Sequence, residues 1–258
     1  MDAPTGAPLW LEVSTAEERP DLWDRAWDER TFEDVWPEYN NHGNHAAHYF
    51  GALVPRFARF QALFVDRRQE TLIARARTIP FRWDGLLEHL PAGIDALGLQ
   101  AVAETRNPTA LSALAAEVRA DYRRVGLSAL VITTMAAMAR GAGLGPLVAP
   151  VRPMWKDRFP LRAIEDYACW LRRDGLPYDP WIRLHVRLGA RILRSEPRSL
   201  EIRAPVPEWE DWTGRHFPRD GCYVFPTGLA PLTVADGVGS YWEPNVWLRH
   251  EVAAGDRP

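Results

Sequence analysis

Twelve residues hold the strongest chemical signal in this sequence: Glu117-Val118-Arg119-Ala120-Asp121-Tyr122-Arg123-Arg124-Val125-Gly126-Leu127-Ser128. They leave a small, apolar, strand-like run, form a basic turn with one glycine, and enter an amphipathic stretch of helical period. The first N–H groups of a helix have no intrahelical partner, and the helix dipole adds positive charge at that end, so such a turn can hold an anion. Gly126 lets backbone come close to a phosphate, Ser128 is small, and Arg123 and Arg124 can add charge-assisted bonds. The turn read alone is equally a solvated basic loop before a helix.

The arrangement resembles the GNAT acyltransferase superfamily, whose signature is a strand ending in Val-x-Pro followed by x-x-Arg/Gln-x-x-Gly-x-Gly/Ala at a helix start. Val118 stands at the strand end, Arg123 at the Arg/Gln position, Gly126 at the glycine and Ser128 at the last small position. Ala120 departs from the usual proline and Arg124 from the usual glycine. A second match lies in the run from Tyr178 to Ala190, where a helix ends in a glycine before the next strand. There His185 falls in the family's catalytic-tyrosine slot and Tyr178 in the slot of an asparagine. The likeness spans roughly residues 10–205. It implies acetyl-CoA or another acyl-CoA as donor, with Val118, Arg119, Arg123, Arg124, Val125, Gly126, Leu127, Ser128 and Tyr178 around it. Direct transfer to an amine in a ternary complex follows from the same likeness.

That chemistry needs an uncharged amine. Deprotonating an alkylammonium of pKa near 10 at pH 7 costs about 4 kcal/mol, so a base or a water relay helps. Glu117, at the strand end nearest the implied thioester, is the candidate base; it reads equally as a solvated carboxylate on the opposite face. His185 is the candidate acid, or a hydrogen-bond donor to the leaving sulfur, or simply a histidine packed between helix and sheet. The likeness also places the loop after the first helix beside the acceptor. Glu38, Tyr39, Asn40 and His42 are the expected acceptor residues, with Trp83 a further candidate wall. His42, His45 and His48 are three apart, but no carboxylate or cysteine shares their spacing and Gly43 interrupts a helix there, so no metal is expected. An arginine-rich run from Arg172 to Arg203 reads as a solvated face, or as a docking face for a carrier protein or a tRNA.

The elements that must position these groups follow from pattern. Ala16–Arg30 and His45–Phe57 have helical period, with a loop at Trp36–Gly43 between them. Phe60–Val65 and Thr71–Ile79 form a hairpin about the polar turn Asp66–Gln69. A helix over Ile94–Glu104 precedes a buried strand at Thr109–Val118, a helix at Leu127–Arg140 and a strand within Gly145–Pro153. Helices near Ile164–Arg172 and Pro180–Leu188 then lead to β-like runs at Arg191–Ile202, Tyr223–Val234 and Tyr241–Leu248. The expected class is α+β, a mixed, mostly antiparallel sheet flanked by helices. The expected division is an acyltransferase-like domain at 1–205 and a β-rich extension at 206–258 packed on it.

Composition narrows the function further. The 258 residues contain 31 Lys+Arg, and all but Lys156 are arginine. A lysine aldimine or P-loop mechanism would have to use Lys156, which no glycine-rich run precedes. A net charge of -3 argues against broad nucleic-acid binding, and the two cysteines form neither a CxxC pair nor a ligand set. No apolar run suits a membrane span, and a cytoplasmic monomer or homodimer is expected. The leading expectation is an N-acyltransferase acting on a small-molecule amine. The alternatives are the same fold fed by an acyl-carrier-protein thioester or an aminoacyl-tRNA, and a non-catalytic ligand- or partner-binding module.

Overall fold

A computed structural model describes residues 8–28, 31–104, 106–123 and 125–252. The chain opens with strand β1 (Leu11–Thr15) and helix α1 (Pro20–Asp28), then short helices α2 (Ala46–Gly51) and α3 (Leu53–Phe57). The hairpin β2 (Gln61–Asp66) and β3 (Thr71–Phe81) follows, then α4 (Gly93–Ala103), β4 (Ala110–Val118), α5 (Leu127–Gly141) and β5 (Leu147–Val151). The remainder is α6 (Ile164–Ala168), α7 (Pro180–Arg187), β6 (Arg191–Pro205), α8 (Val206–Thr213), β7 (Gly221–Tyr223), β8 (Leu232–Ala235) and β9 (Val238–His250).

One nine-stranded sheet runs in the order β1-β2-β3-β4-β5-β9-β8-β7, and β6 pairs with β9. Every pairing is antiparallel except one: β4 and β5 run parallel, and they pair only at Leu111–Leu147 and Ser112–Val148. Beyond those two rungs the strands separate. The α+β expectation holds, with helices α4 and α5 packed on β3 among others and α6 on β6 and β9. Strand β9 lies along β5 on one side and the whole of β6 on the other, so residues after 205 supply a middle strand of the sheet.

Local sequence explains the elements that matter for the cleft. Along α5, Leu127, Val131, Met135 and Met138 are buried at helical spacing against the sheet. Helix α7 starts at Asp179, whose carboxylate accepts from the Trp181 and Ile182 amides, with Pro180 in the first turn. The other Asp179 oxygen accepts from the Trp155 amide and the Tyr167 hydroxyl, both at 2.9 Å, which fixes the direction in which α7 leaves. The helix expected over His45–Phe57 is broken at Ala52 into α2 and α3, and the first helix begins at Pro20 because β1 takes the residues up to Thr15. Helix α8, whose Trp209 is fully buried, was not expected as an element.

Candidate active site

The separation of β4 from β5 opens a cleft of about 620 Å³. Two features of the strands produce it. The β3–β4 register passes from Arg77–Ala115 to Thr78–Ala113, which leaves Leu114 as an unpaired bulge in β4. A bulge bends its strand and increases local twist. Across the gap, Pro150 gives β5 a residue with no N–H to donate to a neighbouring strand. The walls are bare, because Ala113, Ala115, Ala116 and Ala149 line the opening, leaving room for a narrow chain between the strands.

One end of the cleft holds an ionic cluster. Glu117, 1% exposed, accepts from Arg75 Nε at 2.5 Å and Nη2 at 3.2 Å, from Arg77 Nη2 at 2.9 Å and from Trp36 Nε1 at 3.0 Å. Burial alone would raise its carboxyl pKa, but Arg77 and Arg75 hold it below the ordinary value. Both oxygens are occupied, so the base role expected for Glu117 gives way to that of counter-ion to two arginines. A second cluster lies at the wall formed by β5 and β9. Arg152 Nε donates to Glu243, Tyr241 donates to the same carboxylate, and Asn40 donates to it at 3.3 Å.

His185 lies on α7, 3% exposed, and lines the cleft with Trp181, Ile132 and Met135. Its Nδ1 is 2.9 Å from His250 Nε2, at the end of β9, while its own Nε2 is buried with no partner. Burial, with the neighbouring His250 ring, lowers its pKa to about 3. The imidazolium that a proton-donating acid would use is therefore scarcely populated at neutral pH. What the cleft holds is a neutral imidazole backed by a second one.

The remaining expected residues separate into three groups. Glu38 and Asn40 line the cleft. Tyr39, His42 and Trp83 do not, which corrects their expected place on the acceptor wall. Tyr39 is buried among Trp209, Phe225 and Tyr241, with its hydroxyl on the Thr227 carbonyl. His42 stacks on Trp212 at 4.1 Å and meets Glu38 at 2.9 Å, and Trp83 is buried with its Nε1–H donated to the Leu86 carbonyl. Tyr178 likewise lies outside the cleft, in an aromatic cluster with Trp155, Phe159, Tyr167 and Trp170.

The turn after β4 follows cleft-lining Glu117 in the chain, but none of its described residues expected around the donor lines the cleft itself. Val118 ends β4, and Gly126 adopts φ +83 as the residue before α5, with nothing within 4 Å of the position a Cβ would take. Leu127 is buried, Ser128 half-buried and Val125 exposed. Arg119 is committed to Asp121, at 3.1 Å and 2.7 Å, and Arg123 Nε lies 3.3 Å from the Val118 carbonyl. Arg124 lies outside the described residues. The 172–203 arginines do not form one free face: Arg183 is buried on the Pro177 and Tyr178 carbonyls, Arg172 pairs with Asp174 and Arg191 with Glu251.

Sequence reasoning missed Arg75, Arg77, Arg152, Glu243 and His250. The alternation of Arg75 and Arg77 in an otherwise apolar strand was the available signal, since two charges on one face of a buried strand need a partner. Lys156 is buried away from the cleft on the Phe159 and Leu229 carbonyls, and burial lowers its pKa to about 8. Among the described residues no three His, Cys, Asp or Glu side chains group as a metal site, and no helix is long and apolar enough to cross a membrane.

No family model matches the chain. It is 29% identical to arginine N-acetyltransferase avaD of Aspergillus versicolor, over 95% of each chain. Among solved structures it is similar to the loading GNATL domain of CurA from Lyngbya majuscula, at a TM-score of 0.61 and 13% identity, covering 94% of this chain and 98% of that one. It is also similar to the GNAT-like decarboxylase GphF in complex with isobutyryl-CoA, at a TM-score of 0.54 and 18% identity, again over 94% and 98%.

Proposed function

From its place in the GNAT acyltransferase superfamily, we propose that this chain moves an acyl group from acyl-CoA to a small-molecule amine, without a covalent enzyme intermediate. The observation that carries the proposal is the alanine-lined opening between β4 and β5, bulged at Leu114. An unbranched thioester arm fits such a slot, with its pyrophosphate on the first amides of α5. The described arginines of the turn contribute less than expected from the sequence, because Arg119 is already paired, so backbone N–H groups carry most of the phosphate contact. The curated relative is named for acetylating arginine, which favours acetyl-CoA and an amine or guanidine acceptor.

In this scheme the amine nitrogen attacks the thioester carbon, a C–N bond forms, and the C–S bond breaks as the carbonyl re-forms. The nitrogen loses its proton to water in the cleft, since the two arginines that hold the Glu117 carboxyl pKa below its ordinary value make it a poor base. The sulfur leaves as a thiolate, whose ordinary pKa near 8.5 makes full protonation unnecessary. His185 can hydrogen-bond the sulfur from Nε2–H only in the tautomer whose Nδ1 accepts from His250. Calorimetric titration of acetyl-CoA tests the donor: binding that weakens in Gly126→Ala supports the scheme. Absence of binding at millimolar acetyl-CoA or isobutyryl-CoA, in protein that melts cooperatively, would overturn it.

A further inference from the structure

The ionic cluster at β3 and β4 does not balance. Arg75 and Arg77 share one carboxylate, Glu117, while the second cluster pairs Arg152 with Glu243 one to one. His185 adds no charge near neutral pH. Among the described residues lining the cleft, the largely buried charges are three arginines and two carboxylates, with exposed Glu33 and Glu38 also on the lining. Of the two arginines on Glu117 it is Arg77 that is less fully bonded. Both carboxylate oxygens face Arg75, which takes Glu117 by two nitrogens and stacks on Phe32 at 4.7 Å. Arg77 gives Glu117 one bond, from Nη2, and its Nε is buried without a partner. Its guanidinium lies 4.3 Å over the Phe50 ring, and its side chain is 14% exposed. Burial, with Arg75 beside it, lowers its pKa to about 10 against the pull of Glu117. An incompletely compensated cation in such surroundings is costly, and an arriving anion removes that cost.

We propose that Arg77 is the docking point for a carboxylate on the amine acceptor, so that the acceptor is an amino-carboxylate rather than a simple amine. The proposal rests on the acyl-transfer function above and specifies its substrate. A guanidinium fixed on its face by Phe50 and through Nη2 by Glu117 still has donor hydrogens for a carboxylate oxygen, and 14% of the side chain stays exposed. Position fits as well. Arg77 sits across from Ala115, beside the Leu114 bulge where the strands part. Arg77 and directly opposed Ala115 line the same cleft, so an anion on Arg77 shares that cleft with a thioester in the slot. Small Ala115 leaves the intervening space open, and the rest of the acceptor extends between Phe50 and Trp36 towards exposed Glu38 at the mouth.

The test compares matched acceptors with acetyl-CoA as donor: each common L-amino acid, arginine included, against its carboxamide and its decarboxylated amine. The wild type is expected to favour the free acid of its preferred acceptor by about 10–100-fold in kcat/KM, the size of a lost charged hydrogen bond. Arg77→Gln should reduce that preference to within about threefold, mainly through KM, and Arg77→Lys should restore part of it. Acetyl-CoA binding should be unchanged in both variants, which separates this proposal from the donor assignment. Equal rates for acid and carboxamide in the wild type overturn the proposal without any variant being needed. Turnover of no free acid by protein that still binds acetyl-CoA also overturns it. So does a carboxylate preference that follows the donor, with malonyl-CoA or succinyl-CoA chosen over acetyl-CoA whatever the acceptor.

Discussion

Replacing Glu117 with glutamine separates a counter-ion from a catalytic base. The substitution keeps the shape and removes the single negative charge that two arginines share. Glu117 is 1% exposed, and the Arg75 and Arg77 side chains are 7% and 14% exposed, so solvent does little to compensate. The glutamine oxygen can still accept from Arg75, but its NH2 group turns two donors towards Arg77. Removing one partner of a buried pair costs about 3–5 kcal/mol. For a chain of this size that corresponds to a fall in Tm of about 6–20 °C. Urea titration should show a lower midpoint at unchanged slope, since the surface exposed on unfolding is the same. The double variant Glu117→Gln, Arg77→Met should recover about 1–3 kcal/mol of the loss, because it also removes the uncompensated cation. The carboxyl pKa is below its usual 4.5 in the fold, so the stabilisation is present above that value and is lost as pH falls below it through the folded pKa. A Glu117→Gln protein that melts within 2 °C of wild type, by a rough threshold, yet loses turnover a hundredfold with acetyl-CoA binding intact, would refute the reasoning and restore the base role.

Three further outcomes follow. The His185 pKa falls from 6.5 unfolded to about 3 folded, so the unfolded chain binds the extra proton between those values and stability drops as pH falls below 6.5. That is a loss of roughly 1 kcal/mol by pH 5.5 from this group, and urea midpoints at pH 8 and 5.5 should differ less in His185→Phe than in wild type. Gly126→Ala meets no steric obstacle but must hold a non-glycine residue at φ +83, costing about 1–2 kcal/mol and raising KM for acyl-CoA with little change in kcat. Gly98→Ala would bring a Cβ to 2.4 Å from the Tyr49 ring and should destabilise by about 1–3 kcal/mol in a thermal melt.

The parts of the fold that were legible in the sequence are those whose determinants are local. The period of Leu127, Val131, Met135 and Met138 sets α5 regardless of what lies opposite, and the polar turn before Thr71 sets the β2–β3 hairpin. The cleft is different, because it depends on pairing that does not occur. Nothing in the 110–118 run marks Leu114 as the residue that will be skipped, and nothing near Pro150 says that β4 rather than another strand stands across from it. For the same reason Glu117 could be located but not assigned. Its partners Arg75 and Arg77 are about forty positions away on a neighbouring strand, and register alone puts three charges on one face. His185 shows the reverse case. Its place in α7 was readable from the Asp179-Pro180 start, but its protonation is set by burial and by His250, sixty-five residues later.

That pattern bears on how acceptor specificity arises in this chain. The groups implied for the donor, Tyr178 apart, lie within one strand–turn–helix segment, where short-range geometry suffices. The groups proposed for the acceptor come from β3, α2 and the loop before it, which meet only when the whole sheet is assembled. Arg77 supports the Glu117 carboxylate, but as the second cation on one buried carboxylate it also carries a desolvation cost that an arriving anion would offset. If Arg77→Met raises stability while abolishing discrimination between an amino acid and its carboxamide, this second charge is a specificity device kept at the expense of stability. If Arg77→Met lowers stability as much as Glu117→Gln does, Arg77 is an ordinary half of the Glu117 pair, and the discrimination must come from elsewhere.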